Sequence, residues 1–235
     1  MITPLQLFDA SSSTYTYLLA DLASGEAVLI DGVAGREERD LAHVRRLGLR
    51  LAWLLETHVH ADHVTSAAAM REATHARVAV PAGAGVTGAD RELHDGDEVA
   101  FGRAESVRVI ATPGHTGASV SYLWRGNAFT GDALFVDGCG RTDFQDGDAG
   151  VLYDAVTQRL FSLPPATRVW PAHDYHGQLV STIGWEKAHN ARFAGRTREA
   201  FVALMDGLDL PMPELIDVAV PANRRLGAAA APSAG

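Results

Sequence analysis

Thr57-His58-Val59-His60-Ala61-Asp62-His63 puts three histidines and an aspartate into six consecutive positions, His58 to His63. Imidazole and carboxylate are the donors that first-row divalent metal ions accept most readily. Burying so many of them together without an ion or partners would be costly. Three further polar residues stand just past apolar, strand-like runs: His115 in ATPGHTGAS, Asp132 in AFTGDALF and His173 in VWPAHDYHG. Seven candidate ligands therefore come from four segments, and side chains carried on several strand ends can converge without straining any one loop. A metal site is the economical reading. His43, His75, His94 and His189 stand singly and are expected to be surface or hydrogen-bonded residues.

The elements that must position these residues can be read in outline. Apolar β-type runs at 14–19 and 27–31 flank a Ser24-Gly25 turn and suggest a hairpin. A helix over 36–47 ends near Gly48, and the run 49–55 reads as a buried strand that delivers His58 at its carboxyl end. Asp62 is placed to cap a helix over 64–74, whose Ala67-Ala68-Ala69-Met70 centre favours that state. Further strands are expected at 77–80, 98–101, 106–111, 119–124, 128–130 and 168–170, with a helix near 149–160. Strand blocks alternating with helices point to an α/β fold, two sheets covered by helices in a four-layered αββα sandwich. One domain over 1–226 is expected, and the tail 227–235, all Ala, Gly, Pro and Ser, reads as disordered.

Bulk properties narrow the function. The 235 residues are 47% hydrophobic, enough for a substantial core. The 29 acidic against 20 basic side chains give a formal charge of −9 and no arginine stripe, which argues against a nucleic-acid surface. Cys139 is the only cysteine, so no intrachain disulfide can form. No apolar run approaches the roughly 20 residues of a membrane span, and the N-terminal residues show neither a secretory nor a transit pattern. A cytoplasmic protein without membrane attachment is the expectation.

The histidine cluster, with the later Gly-His, Gly-Asp and Ala-His loops in that order, resembles the metallo-β-lactamase fold superfamily, which implies the αββα sandwich with its site at one edge of the two sheets. The resemblance leaves two chemistries open. In one, as in glyoxalase II, two zinc ions share a hydroxide that cleaves a glutathione thioester. His58, His60 and His115 would then hold one ion, Asp62, His63 and His173 the other, and Asp132 would bridge. In the other, His58, His115 and Asp132 bind one Fe(II) on a two-histidine, one-carboxylate face that leaves positions for substrate and O₂. A non-catalytic metal-binding module is a third, weaker reading.

The flanking segments separate these. ALFVDGCGRTDFQDGD after Asp132, DYHGQLVST after His173 and the closing LPMPELIDVAVPANRRLG resemble, in order, the persulfide dioxygenase family over nearly the whole chain. Gly117-Ala118 replaces a frequent Pro-Gly of that family, and Asn190-Ala191-Arg192 replaces a common Asn-Pro-Arg. Neither touches a proposed ligand. The resemblance implies one Fe(II) per chain and oxidation of glutathione persulfide by O₂ to sulfite and glutathione. His60, Asp62, His63 and His173 would orient the ligands rather than bind the ion. Tyr175 would offer its phenol to the bound persulfide or oxygen, and Arg141 would pair with a glutathione carboxylate. A homodimer is the assembly the resemblance favours. Cys139, with nothing nearby to lower its pKa, reads as a buried thiol as much as a nucleophile.

Overall fold

A computed structural model of the chain describes residues 4–175 and 177–228. The first sheet takes its strands in chain order: β1 (Leu5–Asp9), β2 (Thr14–Asp21), β3 (Glu26–Ile30), β4 (Arg50–Leu55), β5 (Arg77–Pro81) and β6 (Arg91–Leu93). β1 to β3 pair antiparallel, and β3 to β6 pair parallel. The second sheet contains β7 (Glu98–Phe101), β8 (Glu105–Ala111), β9 (Val120–Trp124), β10 (Asn127–Gly131), β11 (Arg168–Pro171) and β12 (Ser181–Thr182), again as neighbours in sequence order. Only β10 and β11 run parallel there. The helices are α1 (Glu37–Arg46), α2 (Ala67–Thr74), α3 (Ala149–Ala155, prolonged by a π turn to Leu160), α4 (Ile183–His189), α5 (Arg198–Asp206) and α6 (Ile216–Asn223).

The two-residue period of a strand sorts side chains between layers. Tyr17, Leu19, Val28 and Ile30 join Val109, Tyr122, Trp124 and Phe129 in the core between the sheets. Their neighbours Leu18, Ala27 and Leu29 pack outward with Val44 of α1 and Met70 of α2. A third cluster joins Val169 of β11 to Leu152, Ile183 and Phe201 from α3, α4 and α5. Strands buried on both faces read as continuous apolar runs, which is why they stood out in the sequence. The αββα expectation holds.

Two local expectations need correction. α2 begins at Ala67, not Val64, with Ser66 at the cap position and no side-chain cap bond. Asp62 lies four residues before that cap position, and its Oδ2 accepts hydrogen bonds from Thr14 and His63 instead. Gly227 and Ala228, assigned to the tail, still donate backbone bonds to Ala222 and Arg225. The rest of the tail, 229–235, lies outside the described residues.

Candidate metal centre

All four ligand-bearing segments leave strands at one edge of the sandwich. β4 leads to His58–His63, β8 to His115, β10 to Asp132 and β11 to His173. Backbone bonds from Val120 N–H to Thr57 O (2.9 Å) and from Tyr15 N–H to Ala172 O (2.7 Å) stitch the two sheets together there.

The His58 loop is anchored by Asp31, the residue after β3, buried and held at a positive φ of 53°. Aspartate tolerates this left-handed region better than most residues. Its carboxylate accepts the Thr57 N–H at 2.7 Å and the Thr57 hydroxyl at 2.8 Å. The Thr57 hydroxyl oxygen lies 2.9 Å from His58 Nδ1. Assigned from this bond, the His58 proton sits on Nδ1 and the Nε2 lone pair is left for an ion. Burial, reinforced by the neighbouring His60 and His115 rings, holds the His58 pKa well below the ordinary histidine value, so the ring is neutral.

His115 follows the same logic. Its Nδ1 donates to the Arg141 carbonyl at 2.7 Å, and its Nε2 lies 3.3 Å from Asp132 Oδ2. Asp132 Oδ1 is buried without a hydrogen-bond partner among the described residues. The donor atoms of His58, His115 and Asp132 all lie within 4.8 Å of one another. Two imidazoles beside a carboxylate oxygen that lacks a hydrogen-bond partner fit a divalent first-row metal.

The other four candidates converge on the same place with different partners. His60 is fully buried, and its Nε2 lies 3.2 Å from Asp31 Oδ1 and 3.5 Å from Glu56 Oε2. Burial opposes its imidazolium, but Asp31 and Glu56 outweigh that and raise its pKa well above the usual value. Asp62 Oδ2 accepts from Thr14 Oγ1 at 3.1 Å and from His63 Nδ1 at 3.0 Å. Burial alone would raise the Asp62 pKa; His63 and His173 hold it well below the carboxylate norm. His63 Nε2 is buried and unpartnered among the described residues. His173 donates from Nδ1 to Ser13 O at 3.2 Å, leaving Nε2 at 3.4 Å from Asp132 Oδ1 and 3.7 Å from Asp62 Oδ2. Besides His58, His115 and Asp132, two other groups bring donors equally close: His60 with Asp62 and His63, and His60 with Asp31 and Glu56.

A cavity of about 510 Å³ opens over this centre, lined among others by Asp62, His115, Asp132, Phe144 and Tyr175. The Tyr175 ring stacks on His173, with centroids 5.9 Å apart and planes at 11°. Burial, then the charges of Asp132 and Asp62, raise its pKa, so its phenol keeps its proton. Arg141 also lines the cavity, but its fork is filled. Nε and Nη2 each donate to Asp143 at 2.6 Å, and Nη1 donates to Pro211 O at 2.5 Å. Cys139 borders the same space, its thiol pushed up to about 12 by burial, and so is not a ready nucleophile.

The profile of the metallo-beta-lactamase superfamily matches residues 11–173. "Persulfide dioxygenase ETHE1, mitochondrial" of Bos taurus is 46% identical over 97% of this chain and 90% of its own length. The crystal structure of ETHE1 from Myxococcus xanthus superposes with a TM-score of 0.94 at 51% identity, covering 97% of this chain and all of that one. This chain belongs to the persulfide dioxygenase family. The relationship extends more weakly to a hydroxyacylglutathione hydrolase of Gloeobacter violaceus, 38% identical over 81% of this chain and 75% of that protein. No helix among the described residues is long and apolar enough to cross a membrane.

In this persulfide dioxygenase the segment GCGRTDFQ has visible work to do. A Cβ on Gly140 would stand 2.6 Å from Asp132 O and 2.8 Å from His115 Nδ1, so only glycine lets this loop pass between two candidate ligands. Gln145 donates from Nε2 to Val59 O at 2.9 Å and ties the segment to the histidine loop. Sequence reading did not find Asp31, Glu56, Thr14 or Asn223. Asn223 donates from Nδ2 to the carbonyls of His60 and His63, both at 2.9 Å, and accepts the Thr65 N–H at 2.8 Å. An asparagine in a C-terminal helix carries no signal of metal chemistry, so only its place in the quoted PANRR segment could have pointed to it.

Proposed function

We propose that this chain oxidises glutathione persulfide with O₂ at one Fe(II) held by His58, His115 and Asp132. One persulfide, one O₂ and one water then give glutathione, sulfite and two protons. The observation that carries the metal assignment is the division of the histidines: His58 and His115 are free to offer Nε2, whereas His60 Nε2 faces Asp31 and Glu56. Bound Fe(II) supplies the redox chemistry with O₂ that Zn²⁺ lacks, and two histidines with one carboxylate leave positions for substrate.

The chain's own residues do the rest. The Thr57 hydroxyl oxygen and the Arg141 carbonyl fix the tautomers of His58 and His115. His173 faces both Asp132 and Asp62, and Asp62 in turn holds His63. Tyr175, protonated and at the cavity, donates its O–H to the anionic sulfur or sulfite oxygens. Phe135 and Phe144 give the cavity apolar walls that limit water. Arg141 reaches a substrate carboxylate by exchanging Asp143 for it, a swap between two like partners.

Metal analysis of protein purified without added metal, read beside oxygen uptake, tests this. About one iron per chain is expected, with sulfite formed in step with O₂ consumed. Two zinc ions per chain with thioester hydrolysis would replace this reading with the hydrolase, for which the second donor group at His60, Asp62 and His63 is the specific support.

A further inference from the structure

The turn from Phe144 to Gly147 is closed by the Gly147 N–H, which donates to Phe144 O at 2.9 Å. Its two central residues, Gln145 and Asp146, stand at φ 50° and 57°. Positive φ at both centres is the mark of a type I′ turn, which asparagine, aspartate and glycine adopt readily and longer side chains do not. Aspartate suits its position, whereas glutamine is out of place. The Gln145 side chain adds a second cost. Its Nε2 donates to the Val59 carbonyl at 2.9 Å, while its Oε1 is buried with no hydrogen-bond partner among the described residues. The carbonyl settles which end of the amide faces it, since an oxygen there would be repelled.

A strained backbone and an unpaired buried oxygen at one residue persist where the surrounding structure puts them to use. Val59 directly follows His58, and among the described residues no other donor reaches its carbonyl. Behind it lies a cavity of about 260 Å³ bounded by Val59, Thr116, Ala118, Gln145 and Arg224, separate in its lining from the cavity over the metal centre. The peptide after His58 therefore has open space at its back. Thr57, bonded to Asp31, fixes the chain before His58, and Gln145 is the counterpart that fixes the chain after it.

We propose that Gln145 is a positioning residue, whose amide keeps the peptide after His58 out of the cavity behind it and so aims the His58 ring at the metal. This rests on the reading of His58 as a metal ligand. Gln145 touches neither ion nor substrate and acts through Val59. The fold gives up stability at this turn, and the gain is a fixed ligand.

Gln145→Met keeps the length of the side chain and removes both ends of the amide. It unpairs the Val59 carbonyl but also removes the orphaned Oε1, so the two effects offset and the metal-free protein should melt within about 2 °C of the parent. The Fe(II) dissociation constant, measured anaerobically by competition with a chromophoric chelator, should nevertheless rise roughly 3- to 30-fold, somewhat less than for a group bonded to the ligand ring itself. At saturating Fe(II), kcat for glutathione persulfide should fall by a like factor while KM stays within about twofold. Ala118→Leu added to this variant fills the cavity from its opposite wall and should restore part of the affinity. Gln145→Asn, an amide one methylene short of Val59, should lose Fe(II) affinity in the same way and decides the matter if the methionine variant folds poorly. Unchanged Fe(II) affinity in both variants overturns the proposal. So does a metal-free melt lower by many degrees alongside the lost affinity, which would make Gln145 a plain structural brace. His58→Ala is the reference: Fe(II) binding as tight as the parent's there would sink the ligand reading itself, whatever the Gln145 variants do.

Discussion

His115 and His63 are both buried histidines with one ring nitrogen held by the protein, yet the same substitution should affect them differently. His115 presents Nε2 to Asp132, whereas His63 spends Nδ1 on Asp62. His115→Ala should therefore abolish both iron binding and activity. His63→Ala should retain most of the iron while activity falls on the order of 10- to 100-fold, the usual cost of losing a group that orients a ligand. Metal analysis of the two variants checks this, and equal iron loss would move His63 into the ligand set. These residues were legible in the sequence because a histidine or aspartate after an apolar run is chemically conspicuous. Glu56 and Asp31 were not, since a carboxylate at a strand end is common and only the fold brings both to His60.

The element that most affects the histidine loop is α6, from the far end of the chain. It buries only Ala219 and Asn223 and contains Pro221, so it has little apolar periodicity to announce it. α4 and α5 are also short, and β1, β6 and β12 are edge or two- to five-residue strands that gave no clear pattern. The long inner strands were readable for the opposite reason, being apolar on both faces. The start of α2 was misread because Asp62, a good cap by type, is claimed by Thr14 and His63. Asn223→Ala would strip partners from the His60 and His63 carbonyls and the Thr65 N–H at once. Each buried group left unpaired costs about 1–3 kcal/mol. A melting temperature lower by several degrees and weaker iron retention on dialysis are expected; an unchanged melt would mean that water replaces the amide without loss.

At the scale of the molecule, the centre lies where the two sheets meet, so the ion should hold the sheets together as well as serve the chemistry. Without it, Asp132 Oδ1 and His63 Nε2 stay buried with no hydrogen-bond partner among the described residues. A ligand that binds only the folded state at a hundred times its dissociation constant adds about 2.7 kcal/mol. For a chain of this size that is a rise of roughly 5–10 °C. Thermal unfolding with and without a chelator should show it, with recovery on adding Fe(II) under anaerobic conditions. A melt indifferent to chelation would place the metal outside this cluster.

The tether from Asn223 also sets an order of events in biogenesis. During synthesis His60 leaves the ribosome 163 residues ahead of the amide that fixes its carbonyl. At about 5–20 residues per second, the histidine loop spends roughly 8–30 s without its clamp. A nascent chain presents the histidines but not their settled geometry, so metal insertion is expected to belong to the finished polypeptide. A gene product shortened between His173 and Asn223 would carry every candidate ligand and is expected to bind the metal poorly.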